Sequence, residues 1–199
     1  MGQKLIASII VVLISLFVLP ATQYNQSEMQ DAALRVYLAE GSVDLTIVDS
    51  LDNVGDQSDL ALDSENNVHI SYRDVTNKNL KYAFFDGASW NSTTVDDDGN
   101  VGQSPSIVID SNDYIHICYF DNTNSALKYA FYDGTSWNIT TVGNMFHSHV
   151  ALSMGIDSHD KLHVAYHATE YNLSYATYDG EVWDSNIICL LYTSDAADE

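Results

Sequence analysis

Between residues 52 and 188 apolar and polar side chains alternate in short runs, with no helical segment. The clearest run is Val68–Arg73. Val68, Ile70 and Tyr72 point one way, while His69, Ser71 and Arg73 point the other, the period-two pattern of a β-strand. A shorter aliphatic strand holding Leu60 and Leu62 precedes it, and an Asp-Ser turn joins the two. A loop rich in Asn and Thr leads to a third strand, with Leu80, Tyr82 and Phe84 on one face. Asp86-Gly87 then signals a tight hairpin. A fourth strand starts at Trp90 and runs through Thr94.

This four-strand pattern recurs. Asp63, Asp110 and Asp157 are 47 residues apart, as are His69, His116 and His163, and Tyr72, Tyr119 and Tyr166. Tyr82, Tyr129 and Tyr175, and Trp90, Trp137 and Trp183, follow at spacings of 47 and 46. Four strands in about 47 residues, joined by tight turns, match one β-propeller blade. A β-helix rung would be shorter, and a sandwich has no reason to keep this period. The expected fold is therefore all-β: an open propeller arc with blades at 52–97 and 98–144 and a partial blade at 145–188. Thr46-Ile47-Val48-Asp49 aligns with Thr93-Thr94-Val95-Asp96, so residues 42–51 are expected to be a lone outer strand. Closed propellers typically need at least four blades.

The two ends read differently. Lys4, the uncharged apolar run Leu5–Leu19 and the small residue Ala21 predict a secretory signal peptide over 1–21, or an uncleaved membrane anchor in its place. Residues 22–41 read as a linker with partial helical character in DAALRVYLAE. The last eleven residues, CLLYTSDAADE, break every preceding pattern. They back-translate to a sequence that resembles the transposon end and adapter of tagmentation libraries. Residues 189–199 are thus expected to be an artefactual tail, and the chain a fragment of something longer.

The repeats D-S-x-x-x-x-H-[IV]-x-Y and L-K-Y-A-x-x-D-G-x-S-W over residues 42–188 resemble those of secreted β-propellers related to the sialidase-like superfamily. The D-G-x-S-W turn is similar to that group's Asp-box but lacks its leading Ser. The stretch is also loosely similar to repeats of six-bladed fucose-binding lectins. The resemblance implies fold more than function. Sialidase-type chemistry needs an arginine cluster and a Tyr/Glu nucleophile pair, and this chain has only Arg35 and Arg73. Glu170 and Glu181 depart from the repeat without an obvious partner for paired-carboxylate hydrolysis.

Charge narrows the partners. With 28 acidic residues against 7 basic, the formal net charge is −21. Nucleic acid and anionic membrane surfaces are excluded as partners, because both need lysines and arginines to replace counterions. Two cysteines do not make a disulfide framework.

Two classes of function follow. One is an exported, non-catalytic binding or scaffold module for carbohydrate or another extracellular macromolecule, secreted or held at the cell surface. The other is a glycosidase- or lyase-type enzyme domain whose catalytic residues lie in further blades. Arg73, Phe120 and His167 occupy equivalent positions at the end of the second strand and break the repeat. Together with His147 and His149 they are the candidate ligand-binding rim. His147, His149 and His167 also have the spacing of a metal site. Asp96 and Asp98, in the run Asp96-Asp97-Asp98-Gly99-Asn100, suggest Ca²⁺; otherwise no cofactor is expected. The repeated His and Trp read as structural elements, the imidazoles buried between blades and bonded to a turn. Asn25, Asn91, Asn138 and Asn172 are glycosylation sequons.

Overall fold

The computed structural model describes residues 34–38, 41–145, 152–169 and 172–190. The apolar leader, His147, His149 and residues 191–199 lie outside the described residues. The chain divides into two units, Met1–Thr46 and Ile47–Glu199.

In the first unit, β1 (Leu34–Leu38) and β2 (Gly41–Leu45) form an antiparallel hairpin. The sequence reading had a partly helical linker to residue 41 and a lone outer strand over 42–51. A lone strand leaves its ladder of N–H and C=O groups unpaired, and the adjacent segment satisfies that need locally. Residues 46–53 carry no strand.

The second unit is all-β, with three four-stranded antiparallel sheets that match propeller blades. Blade 1 comprises β3 (Val54–Leu62), β4 (Val68–Asp74), β5 (Asn79–Phe85) and β6 (Trp90–Asp96). Blade 2 comprises β7 (Gln103–Ile109), β8 (Ile115–Asp121), β9 (Ala126–Tyr132) and β10 (Trp137–Asn144). Blade 3 comprises β11 (Leu152–Ile156), β12 (Leu162–Thr169), β13 (Asn172–Tyr178) and β14 (Trp183–Leu190). Each blade is a simple meander, because tight turns link strands already adjacent in sequence.

The cores lie between blades. Ile115, Ile117 and Tyr119 of β8 pack toward blade 1 with Leu80, Tyr82 and Val95. Cys118 and Phe120, on the opposite face, pack toward blade 3 with Met154, Leu162, Val164 and Tyr166. Strand β8 is consequently buried along its whole length. The outer strands β6 and β10 are mostly exposed.

Polar links cross the two gaps at repeat positions. In the first gap Ser64 donates its N–H and hydroxyl to the Asp113 carboxylate, at 2.8 and 2.6 Å. In the second, Ser111 makes the same two bonds to Asp160. Asn66, Asp113 and Asp160 all have φ near +60°, a conformation that short polar side chains tolerate. Further in, Ser106 Oγ and Ile107 N–H donate to Asp59, each at 3.0 Å. Toward the rim, Tyr119 and Lys128 donate to Asp96 at 2.6 and 2.7 Å. Tyr72 and Lys81 hold Asp49 in the same manner. The residue aligned with Thr46-Ile47-Val48-Asp49 thus keeps its corner position without the strand. Gly143 stands where a third such Asp would be, beside Tyr166.

Candidate functional site: a pocket repeated between blades

Each blade carries an Asp–His–Tyr chain built from the turn after the first strand, the second strand and the third strand. In blade 1 the His69 Nδ1 lies 2.6 Å from the Tyr82 hydroxyl and Nε2 lies 3.3 Å from Asp63 Oδ2. A carboxylate only accepts, so Nε2 donates to Asp63 and Nδ1 accepts from Tyr82. In blade 2, His116 Nδ1 is 2.6 Å from Tyr129, with Asp110 Oδ2 3.4 Å from Nε2. In blade 3, His163 is 2.5 Å from Tyr175 and 3.3 Å from Asp157. Burial works against the Asp63 anion, but hydrogen bonds from Asn67, His69 and Glu65 win and lower its pKa to about 2. Burial also lowers His116, against the pull of Asp110 and Asp160. Burial pushes the Tyr82 and Tyr129 hydroxyls up.

These chains do not face a rim. They form the walls of pockets between blades. The first pocket, about 550 Å³, is lined from blade 1 by Asp63, His69, Tyr82, Phe84 and Asn91, and from blade 2 by Asp113, Tyr132 and Trp137. The second, about 210 Å³, is lined by their counterparts Asp110, His116, Tyr129, Phe131, Asp160 and Tyr178. Aromatic edges shape both. Trp137 meets Tyr82 of the preceding blade edge-on at 5.5 Å, and Trp183 meets Tyr129 at 5.2 Å. Phe84 stands 4.8 Å from the His69 ring.

The two acids of the first pocket differ in what they have left to offer. Asp63 already accepts from the N–H groups of Glu65 and Asn67, the Asn67 amide and His69. A carboxylate has about four acceptor positions, so Asp63 is saturated. Among the described residues Asp113 accepts two bonds, both from Ser64, which leaves about half its acceptor capacity on a residue that lines the pocket. Asp160 holds the same position in the second gap. Among the described residues no lysine or arginine lines either pocket. The arrangement can accept hydrogen bonds from hydroxyl groups beside an aromatic wall.

The residues singled out from the sequence fall elsewhere. Arg73 and Phe120 are not loop residues: β4 and β8 continue through Asp74 and Asp121. Strand parity turns both toward the next blade. Arg73 donates to Asn100 of the following linker at 3.0 Å, and the Gln103 amide oxygen lies 2.7 Å away when oriented to accept. Phe120 is fully buried in the core between blades 2 and 3. His167 is half-buried on the same parity in β12. His147 and His149 are outside the described residues. Among the described residues no three His, Cys, Asp or Glu side chains stand together as a metal site. Asp96 is turned inward to Lys128 and Tyr119, and it takes the Asp98 N–H, so it is not free to bind Ca²⁺. Asn91 and Asn138 are exposed on the outer strands, and Asn172 opens β13.

Asp113 and Asp160 were the residues sequence reasoning passed over. Their 47-residue spacing was visible, but the third member is Asn66. The Asp of the D-G-x-S-W turn is local: Asp86 accepts from Ala88 and Ser89, Asp133 from Thr135 and Ser136, and Asp179 from Glu181 and Val182.

No family model matches the sequence, and no curated protein matches it. Solved structures do. AofleA from Arthrobotrys oligospora is similar over 77% of this chain and 48% of its own, at 9% identity and a TM-score of 0.57. The Aleuria aurantia lectin, described as a six-bladed β-propeller with a novel fucose recognition mode, matches 78% of this chain and 52% of its own at 16% identity, TM-score 0.53. The SapL1 lectin, solved with α-methyl fucoside, matches 65% and 45% at 12% identity, TM-score 0.53. The chain spans about half the length of these three structures and has a β-propeller fold.

Proposed function

We propose that this chain is a non-catalytic carbohydrate-binding propeller module that takes neutral, hydroxyl-rich sugars in its inter-blade pockets. One observation carries the reading: the same half-satisfied carboxylate, Asp113 or Asp160, faces an aromatic wall in two successive gaps. Sugars present apolar C–H faces to aromatic rings and hydroxyl donors to carboxylates. The described linings of both pockets hold acids and no lysine or arginine, which in a chain of net charge −21 disfavours uronic and sialic acids. The fold similarity to fucose lectins supports the same class of ligand. The apolar leader supports a position outside the cell or at its surface. The glycosidase or lyase alternative places its catalytic residues in further blades; in the first pocket Asp63 is saturated by its own turn and His69, so Asp113 has no free carboxylate partner there for paired-acid hydrolysis.

The test is a glycan array on the full chain, followed by titration of the best ligand. Binding to neutral glycans is expected. Trp137→Ala should weaken it on the order of 30-fold, as for an aromatic anchor of about 2 kcal/mol, and Asp113→Ala, at an exposed carboxylate, on the order of 10-fold, about 1.4 kcal/mol. Binding confined to anionic glycans, or none at all, removes the proposal.

A further inference from the structure

The two inter-blade pockets differ in the charge they leave unanswered. In blade 1 one of the bonds that saturate Asp63 comes from the Asn67 side-chain amide. Tyr114 holds that position in blade 2. Its ring turns to Phe131, edge-on at 5.7 Å. Among the described residues Asp110 accepts hydrogen bonds from the N–H groups of Asn112 and Tyr114, both on Oδ1. Its Oδ2 has the His116 Nε2 at 3.4 Å, which makes no hydrogen bond. Asp160, across the gap, accepts two bonds from Ser111. The second pocket therefore holds two carboxylates with acceptor positions to spare, Asp110 and Asp160, where the first holds one, Asp113. Both act electrostatically on the His116 ring, so both lie near it. The bonds from Ser111 hold Asp160 below the usual carboxylate range, a standing negative charge at neutral pH. Asp179 also lines the pocket, but it is engaged by the N–H groups of Glu181 and Val182 and by the Lys161 charge.

His116 points to a ligand independently. Its side chain is only 8% exposed and lines the pocket. With Nδ1 accepting from Tyr129, as in blade 1, the ring proton sits on Nε2, which has no acceptor. A buried donor left unmet is destabilising, and a ligand oxygen would meet it. The rest of the wall is aromatic. Tyr129 stands 5.5 Å from Tyr178 and 6.5 Å from Phe131, ring to ring.

We infer that the second pocket takes a sugar bearing a protonated primary amine, with the ammonium answered by Asp110 and Asp160 and a neighbouring hydroxyl oxygen by His116. A 2-amino-2-deoxy sugar carries that pair of groups on adjacent carbons. An ammonium has three donors and no acceptor, so spare carboxylate positions beside aromatic rings complement it. The net charge of −21 raises the local concentration of cations. A volume of about 210 Å³, against about 550 Å³ in the first gap, suits a single ring. The inference rests on the sugar reading above for the ring and adds the charge. The first pocket, with one such acid, keeps to neutral sugars.

The experiment is calorimetric titration of the full chain at neutral pH with methyl glucosaminide, methyl N-acetylglucosaminide and methyl glucoside. The glucosaminide should bind on the order of 10-fold tighter than either neutral glycoside, and added salt should narrow the gap. Asp160→Asn and Tyr114→Asn should each abolish this preference and leave the neutral glycosides unchanged. Blade 1 already carries Asn66 and Asn67 at these two positions, so both variants suit the fold. Trp137→Ala, in the first pocket, should leave the preference intact. A glucosaminide bound no better than its N-acetyl counterpart, or a preference that survives both asparagine variants, overturns the inference and leaves the sugar reading standing. Propylammonium bound as tightly as the glucosaminide overturns it too, because the ring then adds nothing. No binding of any glycoside, in this titration and on the array, removes both.

Discussion

Asp63 carries four hydrogen bonds and His69 two, and together they tie the first turn of blade 1 to its third strand. The acid response follows from their titration. The Asp63 pKa falls from 3.8 to about 2 on folding, so the unfolded chain binds more protons between those values. Its stabilisation is full above pH 3.8 and is lost as pH falls toward 2. The His116 pKa is also lowered from 6.5 by burial, so its contribution is full above pH 6.5 and declines as pH drops below that value. Calorimetric Tm should therefore fall in two stages on acidification, one starting below pH 6.5 and one below pH 4. A Tm that is level from pH 7 to pH 3 contradicts this assignment. Gly102 gives a second residue-scale prediction. Its φ is +78°, and an added Cβ would sit 2.7–2.8 Å from backbone atoms of Asn79 and Leu80. Gly102→Ala should cost about 1–3 kcal/mol in urea unfolding; a neutral result would mean the linker does not press on β5. At this scale the repeated histidines were legible as a structural element, since the same imidazole recurs once per blade, bonded to a Tyr of the third strand and set beside an Asp of its own turn. The sequence reading took Arg73, Phe120 and His167 as a rim; Arg73 reaches the linker to the following blade and Phe120 packs between blades 2 and 3. Alternation reveals which residues share a face, but not whether that face looks at a rim or at the next blade.

At the level of strands and hairpins, the period-two runs and the Asp-Gly turns located β4, β5, β8 and β9 from the sequence alone. Tight turns leave an antiparallel meander as the only short connection, so the order within each blade was legible too. The hairpin of β1 and β2 was not. Its pairing depends on which neighbour is available, and DAALRVYLAE has no strict alternation to declare it. The gaps also differ in ways a repeat conceals. The first holds the Asp96–Tyr119–Lys128 cluster, with Asp96 accepting from both partners. The second has Gly143 at that position, and Ser174 replaces the lysine. Asp96→Asn removes the nearer of the two carboxylates beside Lys128, leaving Asp121 at 3.6 Å, and weakens the bond from Tyr119; it should destabilise the first gap by about 2 kcal/mol. Amide hydrogen exchange would read this as lost protection in β7 and β8, with β12 and β13 unchanged. Equal loss across both gaps would show that the cluster does not act locally.

Across the whole repeat unit, stability comes from nearest-neighbour contacts between blades, as in other repeat architectures. Each interior gap joins an apolar core, a serine–aspartate link and an aromatic-walled pocket. The fold was legible because the 47-residue period fixes the number of strands per unit, and a sheet apolar on both faces must be covered on both. The site was only half legible. Its residues recur at visible spacing, yet the pocket exists because two blades from distant sequence meet, which the spacing alone does not disclose. The central claim is that sugar enters between blades. A crystal structure of the protein with its best neutral glycan tests it most directly. The account predicts sugar density beside Asp113, Phe84 and Trp137, with ligand hydroxyls within hydrogen-bond distance of the Asp113 carboxylate. Sugar seated instead at the far end of the second strands, beside Arg73 or His167, would contradict it.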